Sequence, residues 1–510
     1  MADNSPNNKR IAKNTIFLYI RMLLTMAVTL YTYRVVLATL GVEDFGIYNV
    51  VGGVVTMFAF LNGTISGVTQ RYLTYELGTG NKERLKTVFN TAMCIHWIIA
   101  IAILILAETI GLWFIYNKLV IPAERITAAI WVYQFSILST IVFIVSVPYN
   151  ACIIAHEKMS AFAYISIVEV VLKLLVVYLL LLTGFDKLII YAFLIFAVQL
   201  LIRVIYNEYC KRHFEESKYK FQMDRPLAKN MMGFTGWSLF GGFAGVGMNQ
   251  GINILLNMFF GPSVNAARAI AMQVDNAVQG FVANFQMALN PQIIKNYASN
   301  NLEQMRSLVF ASSRYSYYLL FFLSLPIMFE ASFILSIWLK EVPDHTVAFL
   351  RITMLVLLVN TLSNPLVTSA NATGNIKKYQ IIVGTIQILI IPVAYLALLM
   401  GCNSEFVFWI YFVFIVIAQL ARLWMIRPMI GLSLRNYTID VIFRIIAVTI
   451  PSVIVAFISV TCIEEGWLRF IVTGCACVIS VAFFIYVLGI GRTEREFVNS
   501  KVRSILKINQ

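Results

Sequence analysis

Apolar runs follow one another along almost the whole chain, each long enough to cross a bilayer and each parted from the next by a polar stretch. A hydrocarbon core of about 30 Å takes roughly 20 residues of helix. On that measure the pattern predicts fourteen helical segments, at 15–38, 46–69, 88–115, 126–147, 160–182, 188–206, 231–259, 264–289, 315–338, 347–370, 379–400, 406–426, 438–460 and 468–489. Water does not reach the bilayer core, so each backbone N–H and C=O there must bond within its own segment, and the segments must be helices. The expected fold is an all-α polytopic membrane protein.

The polar stretches give the layout. The longest, from Tyr206 to Lys229, is lysine-rich and follows the sixth segment. It divides the chain into an N-terminal lobe of residues 1–206, a cytoplasmic linker of 207–229, a C-terminal lobe of 230–428, and a remainder of 429–510 with segments thirteen and fourteen and a basic tail. A shift of 220 positions lays Gly41 on Gly261, Val54 on Val274, Asn81 on Asn301 and Glu83 on Glu303. Six segments, an even number, separate the copies. Two six-helix lobes of the same orientation are therefore expected, related by a pseudo-twofold axis along the membrane normal.

Charge sets the orientation. With a cytoplasmic start, 28 of the 39 Lys and Arg fall on inside stretches, 7 on outside stretches and 4 within segments. That asymmetry obeys the positive-inside rule and places both termini in the cytoplasm. The net charge of +14 is spread over short loops of one membrane face, so its expected neighbours are anionic lipid headgroups and not nucleic acid. With 60% hydrophobic and 13% charged residues, the chain has too few polar residues for a soluble protein of this length. The first segment carries Arg21 and Arg34 and lacks a small-residue cleavage site, the pattern of a retained anchor.

Signatures of catalysis are missing. No P-loop is present, so direct drive by ATP is unsupported. His96, His156, His213 and His345 are dispersed, and His156-Glu157 is not followed by a second histidine at zinc-site spacing, so neither a metal nor an enzyme is expected. Gly241, Gly245, Gly247 and Gly251 lie inside a membrane segment with no preceding strand, and predict close helix approach in place of a phosphate loop.

Six charges lie well inside segments: Arg21, Glu169, Lys173, Arg268, Asp275 and Arg444. Each would cost about 2.5–3.5 kcal/mol facing lipid, so most must face protein or water. At 100° per residue, Arg268, Asp275, Gln279 and Gln286 share a stripe about 40° wide on segment eight. Asn249, Gln250, Asn253 and Asn257 fill an arc of about 100° on segment seven. These two faces either satisfy each other or line a cavity. Arg268 and Asp275 are two turns apart, so each is expected to meet something other than its neighbour. Glu169 and Lys173, one turn apart, are placed to neutralise each other, and Arg21 and Arg34 either snorkel from opposite ends of segment one or face a cavity.

The run Asn14-Thr15 to Arg34, the stretch from Leu40 to Gly53 and the Pro148 to Lys158 turn resemble the polysaccharide-transport (Wzx-type) flippases, which share a superfamily with the multidrug and toxin extrusion (MATE) transporters. The resemblance implies two lobes forming a V around a central cavity in a bacterial inner membrane. It implies alternating access that turns an undecaprenyl-pyrophosphate-linked oligosaccharide to the outer leaflet, with other polysaccharide-assembly membrane proteins as partners. Arginine forks suit a pyrophosphate. Arg21 and Arg268, helped by Lys173, are the expected headgroup clamp, with Arg34, Asn249, Asn253, Asn257 and Gln279 as further substrate contacts. Asp275 is the candidate for coupling to a proton or sodium gradient, with no other cofactor expected. The alternatives are a cation-coupled drug exporter, which would favour acidic cavity residues, and a membrane-embedded glycosyltransferase or polymerase, which would want paired carboxylates or a large loop.

The charge asymmetry has a direct test. Cysteines introduced near Lys218 and near Asn403 are expected to be labelled by an impermeant maleimide from opposite faces of intact cells. Labelling of both from outside would reverse the orientation.

Overall fold

A computed structural model of the chain describes residues 5–56, 59–118, 121–182, 184–339, 342–491, 494–496 and 499. Its helices are α1 (Ser5–Thr56), α2 (Ala59–Thr79), α3 (Lys82–Leu106), α4 (Leu112–Lys118), α5 (Ile126–Ala155), α6 (Met159–Leu182), α7 (Lys187–His213), α8 (Arg225–Phe260) and α9 (Pro262–Ala298). They continue as α10 (Leu302–Phe329), α11 (Ala331–Trp338), α12 (Thr346–Thr361), α13 (Ser363–Thr373), α14 (Lys377–Leu399), α15 (Ser404–Ile430), α16 (Leu434–Tyr437), α17 (Arg444–Cys462) and α18 (Trp467–Phe484). Each of the fourteen expected segments falls on helix over the described residues, and none of those residues is in a strand. Ten of these stretches are long and apolar enough to cross a membrane. Those outside that set, α1, α2, α8 and α9, are the opening pair of each lobe.

The repeat seen in the sequence reappears as local geometry. Gly41 and Gly261 both have left-handed φ, 78° and 81°: Gly41 breaks α1 into two helices at a kink, and Gly261 turns α8 directly into α9. Glycine holds that conformation without the steric penalty a Cβ brings. Asn81 accepts from the Arg84 N–H and Asn301 from the Gln304 N–H, so α3 and α10 begin on the same N-cap. Gly80 and Asn300, just before those caps, are both left-handed.

The chain forms two compact units, Met1–Leu239 with Ile294–Asn300 and Phe240–Ile293 with Asn301–Gln510. The divisions fall within α8 and α9, whereas the sequence places the boundary in the polar linker. Local packing explains this. In the first unit the guanidinium of Arg71 lies over the rings of Tyr72, Tyr75 and Phe234, at 4.5, 5.2 and 5.3 Å from their centroids, which draws the first turns of α8 onto α2. The last turn of α9 packs so closely on α2 that a Cβ at Gly78 would sit 2.6 Å from that of Ala298.

Within the first unit α5 packs on α7, α2 and α3, and α1 packs on α6. Between α3 and α4 the backbone widens into a π turn, Ala107–Gly111, where the Tyr133 hydroxyl donates to the Ala107 carbonyl at 2.7 Å. A side chain inserted into the helical ladder is a known cause of such turns. Gly111 makes room for it, since a Cβ there would lie 1.9 Å from that hydroxyl.

In the second unit α12 and α14 pack on α15, and α17 and α18 pack against each other and on α10. Ion pairs secure these last two helices. Arg469 forks onto Glu330 with contacts of 3.1 to 3.3 Å, and Arg314 binds Glu494. Of the glycines on α8, Gly241 and Gly251 are where α14 comes closest. A Cβ there would meet Gln380 at 2.0 Å and Ile391 at 2.5 Å.

Outside the membrane segments of the first unit, Arg125 holds two carboxylates. Its Nε and Nη2 donate to Asp44 at 2.8 and 2.5 Å, and its Nη1 to Asp186 at 2.6 Å. Asp186 also caps α7, accepting from the N–H groups of Leu188 and Ile189 at 3.0 and 3.3 Å. Desolvation pushes the Asp186 carboxyl up, but Arg125 and the cap outweigh it and hold it below the usual value. Asp186→Asn is expected to lose the ion pair and keep the cap, and Asp186→Ala to lose both, at an extra cost of about 1 kcal/mol in thermal unfolding. The carboxylate stabilises the fold fully above its unfolded pKa, about 3.9, and that contribution is lost as pH falls through the lower folded value. Acidification should therefore lower the Tm of the wild type more than that of Asp186→Asn.

Candidate functional site

The polar faces of segments seven and eight meet. Gly261 folds α9 back along α8, and the pairing is antiparallel: Asn265 donates to the Asn253 carbonyl at 3.2 Å, and one turn on, Arg268 reaches the same region of α8. Its Nη1 donates to the Asn253 amide oxygen, and its Nη2 to the Asn249 amide oxygen at 3.2 Å. Arg268 is 5% exposed, and its Nε is buried without a partner. Among the described residues no carboxylate pairs with it. Two neutral amides solvate part of the guanidinium and neutralise none of it.

Two turns further along α9, Asp275 is buried and its Oδ1 accepts no hydrogen bond. It lines a cavity of about 190 Å³ within the second unit, together with Asn249, Gln279 and Asn276, and with Asn360 of α12 and Tyr411 of α15. A second pocket of about 260 Å³ is lined by Asn253, Asn257 and Asn265, with Ile254 and Met258. Arg268 thus sits behind both cavities, bonded to one asparagine from each. The stripe on α9 splits in function. Gln286 is used up in packing, donating to Ser316 at 3.0 Å and to the Thr361 carbonyl at 3.2 Å while accepting from Asn364.

In the first unit Lys173 is bound to Glu169 at 2.6 Å, and Gln199 donates to the same carboxylate oxygen at 3.2 Å. Arg21 is half-buried on α1 with its guanidinium 4.7 Å from the Phe162 ring on α6, and Glu169 and Tyr206 act on it electrostatically. The side chain of Arg34 lies outside the described residues. Arg444 pairs with Asp440 one turn away at 3.3 Å. Arg422, near the end of the twelfth expected segment, is buried in the second unit, donating to Ser363 at 2.8 Å and to the Tyr379 hydroxyl at 3.1 Å. The sequence alone did not single out Asn360 and Tyr411, whose membership of the cavity depends on tertiary packing.

No protein-family model matches the chain, and no curated protein matches it. Solved structures do. An outward-facing multidrug-resistance MATE transporter of the MOP superfamily aligns with TM-score 0.70 at 14% identity, over 83% of this chain and 96% of that one. The Vibrio cholerae MATE transporter VcmN in its bent form aligns with TM-score 0.68 at 17% identity, over 84% and 99%. A Pyrococcus furiosus MOP-superfamily transporter, whose binding pocket is described as reversed in polarity, aligns with TM-score 0.68 at 14% identity, over 83% and 96%. The chain has the MATE-transporter fold, and it is a multi-pass membrane protein.

The environment of Arg268 is testable apart from transport. Asn253→Asp sets a carboxylate against the guanidinium and is expected to raise the Tm in detergent, whereas Asn253→Ala should lower it. Equal losses in both variants would mean that the arginine is already neutralised.

Proposed function

We propose that this chain is a membrane transporter working by alternating access, and that it moves an anionic lipid-linked oligosaccharide, the undecaprenyl-pyrophosphate-linked repeat unit of a surface polysaccharide, from the cytoplasmic to the outer leaflet. The observation that carries this reading is Arg268, a buried guanidinium hydrogen-bonded, among the described residues, to Asn249 and Asn253 and to no carboxylate, and backed onto two amide-lined cavities. A charge so placed is tolerated where an anionic ligand compensates it during the working cycle. Its planar fork matches a pyrophosphate, and the low dielectric around it strengthens the attraction. Asparagine amides, donors and acceptors at once, suit the hydroxyls of a sugar. In the first unit Arg21 is the candidate second contact, while Lys173, bound to Glu169, is a weaker one than the sequence suggests.

A second reading, a cation-coupled exporter of drugs, is favoured by Asp275, a buried carboxylate with an unbonded oxygen on the wall of a polar cavity. The two readings share the coupling role of Asp275 and differ in cargo.

Surface display of polysaccharide in a flippase-deleted strain, normalised to inserted protein, separates them. Arg268→Ala is expected to lose about 1.5 to 3 kcal/mol of ligand binding, roughly a tenfold to hundredfold loss. Arg268→Lys keeps the charge without the fork and should lose less. Near-normal display in Arg268→Ala, or wild-type protein that protects cells from cationic drugs without restoring display, would overturn the flippase reading. Asp275→Asn is expected to abolish dependence on the proton or sodium gradient while the protein stays folded. Unchanged gradient dependence would remove Asp275 from the coupling.

A further inference from the structure

Outside the candidate transport site, in the first unit, the chain brings together three side chains that spacing in the sequence does not connect. Cys152 and His156 stand one turn apart at the end of α5, and Glu216 comes from a short 3-10 turn, Glu215–Ser217, in the stretch after α7. His156 Nε2 lies 2.5 Å from Glu216 Oε1, and the Cys152 thiol donates to the same oxygen at 3.6 Å. The sulfur, the imidazole nitrogen and the carboxylate oxygen all lie within 4.8 Å of one another. Cys152 is fully buried and Glu216 nearly so.

We propose that Cys152, His156 and Glu216 form a binding site for a borderline-soft divalent cation of the zinc class. One sulfur, one nitrogen and one oxygen are the donor types zinc takes, with bonds of about 2.0 to 2.3 Å. Around a tetrahedral ion such bonds place neighbouring donor atoms roughly 3.3 to 3.7 Å apart. The thiol and carboxylate are already at that spacing. His156 and Glu216 must part by under about 1 Å, trading the proton between them for the metal. Binding releases the thiol proton of Cys152 and needs the neutral His156 tautomer with its proton on Nδ1, so that Nε2 is free for the metal, leaving a thiolate, a neutral imidazole and a carboxylate. Their two negative charges cancel a dication, so the occupied site is neutral where burial penalises net charge.

The surroundings fix the donors in place. The His156 ring stacks on Phe214 at 4.1 Å with planes 13° apart. The next residue, Glu157, has its carboxylate on Lys295 at 2.6 Å and its carbonyl on Asn14 at 3.2 Å, so the turn that carries His156 is held from two sides. Cys210, beside Cys152, spends its thiol on the Tyr149 carbonyl at 3.5 Å, which leaves the fourth corner to water. A cation here would staple the stretch between α7 and α8 to the end of α5.

The test uses full-length protein purified in detergent without a histidine tag, stripped with chelator and titrated with Co2+ and Zn2+. Stoichiometric Co2+ binding with a thiolate-to-cobalt charge-transfer band, displaced by Zn2+, is the expected result. Cys152→Ser should abolish the band, and Glu216→Gln, which keeps the shape of the side chain, should weaken binding at least about tenfold. Size-exclusion profiles check that both variants are folded. If Cys152→Ser aggregates, Glu216→Gln alone decides. Absence of the band in wild-type protein, or Glu216→Gln binding as wild type does, would overturn the site.

Discussion

A charge in hydrocarbon is tolerated only with a partner, and where partners are present and where they are missing organises this molecule. Most of its buried or half-buried charges are matched locally. Glu169 answers Lys173, Glu330 answers Arg469, Glu494 answers Arg314, and Arg422 rests on hydroxyls. Breaking a buried pair is far more destructive than never having made it, so these contacts fix where helices lie against each other. Arg268 and Asp275 stand outside that economy. Both lie on one stripe of one helix, too far apart to neutralise each other.

The hairpin of α8 and α9 is less apolar than its neighbours because it carries those groups and the asparagines around them. Its stability rests on interhelical hydrogen bonds and on the close approach of α14 at Gly241 and Gly251, not on oily surface. Polar lining and close packing are here properties of the same two helices.

The helices were legible because length and hydropathy alone dictate them in a bilayer. The polar faces of α8 and α9 were legible from periodicity. Which of their residues are spent on packing was not: Gln286 shares the stripe with Asp275 but is saturated by Ser316, Thr361 and Asn364, partners that only the tertiary fold supplies. The π turn at Ala107–Gly111 was hidden for the same reason, since its cause is the hydroxyl of Tyr133 on another helix. The burial of Arg422 was hidden too, because a basic residue near a segment end looks the same in sequence whether it meets headgroups or a serine and a tyrosine. The grouping of Cys152 and His156 with Glu216 was not legible as a motif, as it joins a helix end to a loop two helices later.

Left-handed glycines at 41 and 261 and matching asparagine caps at 81 and 301 recur 220 positions apart, at the joints between helices. The same joint is thus built twice from the same residue type, while, among the described residues, the polar lining of α8 and α9 belongs to the second copy alone. A mutational scan of this chain, printed as two rows offset by 220 positions, should show columns of matching intolerance at these joints and little correspondence elsewhere.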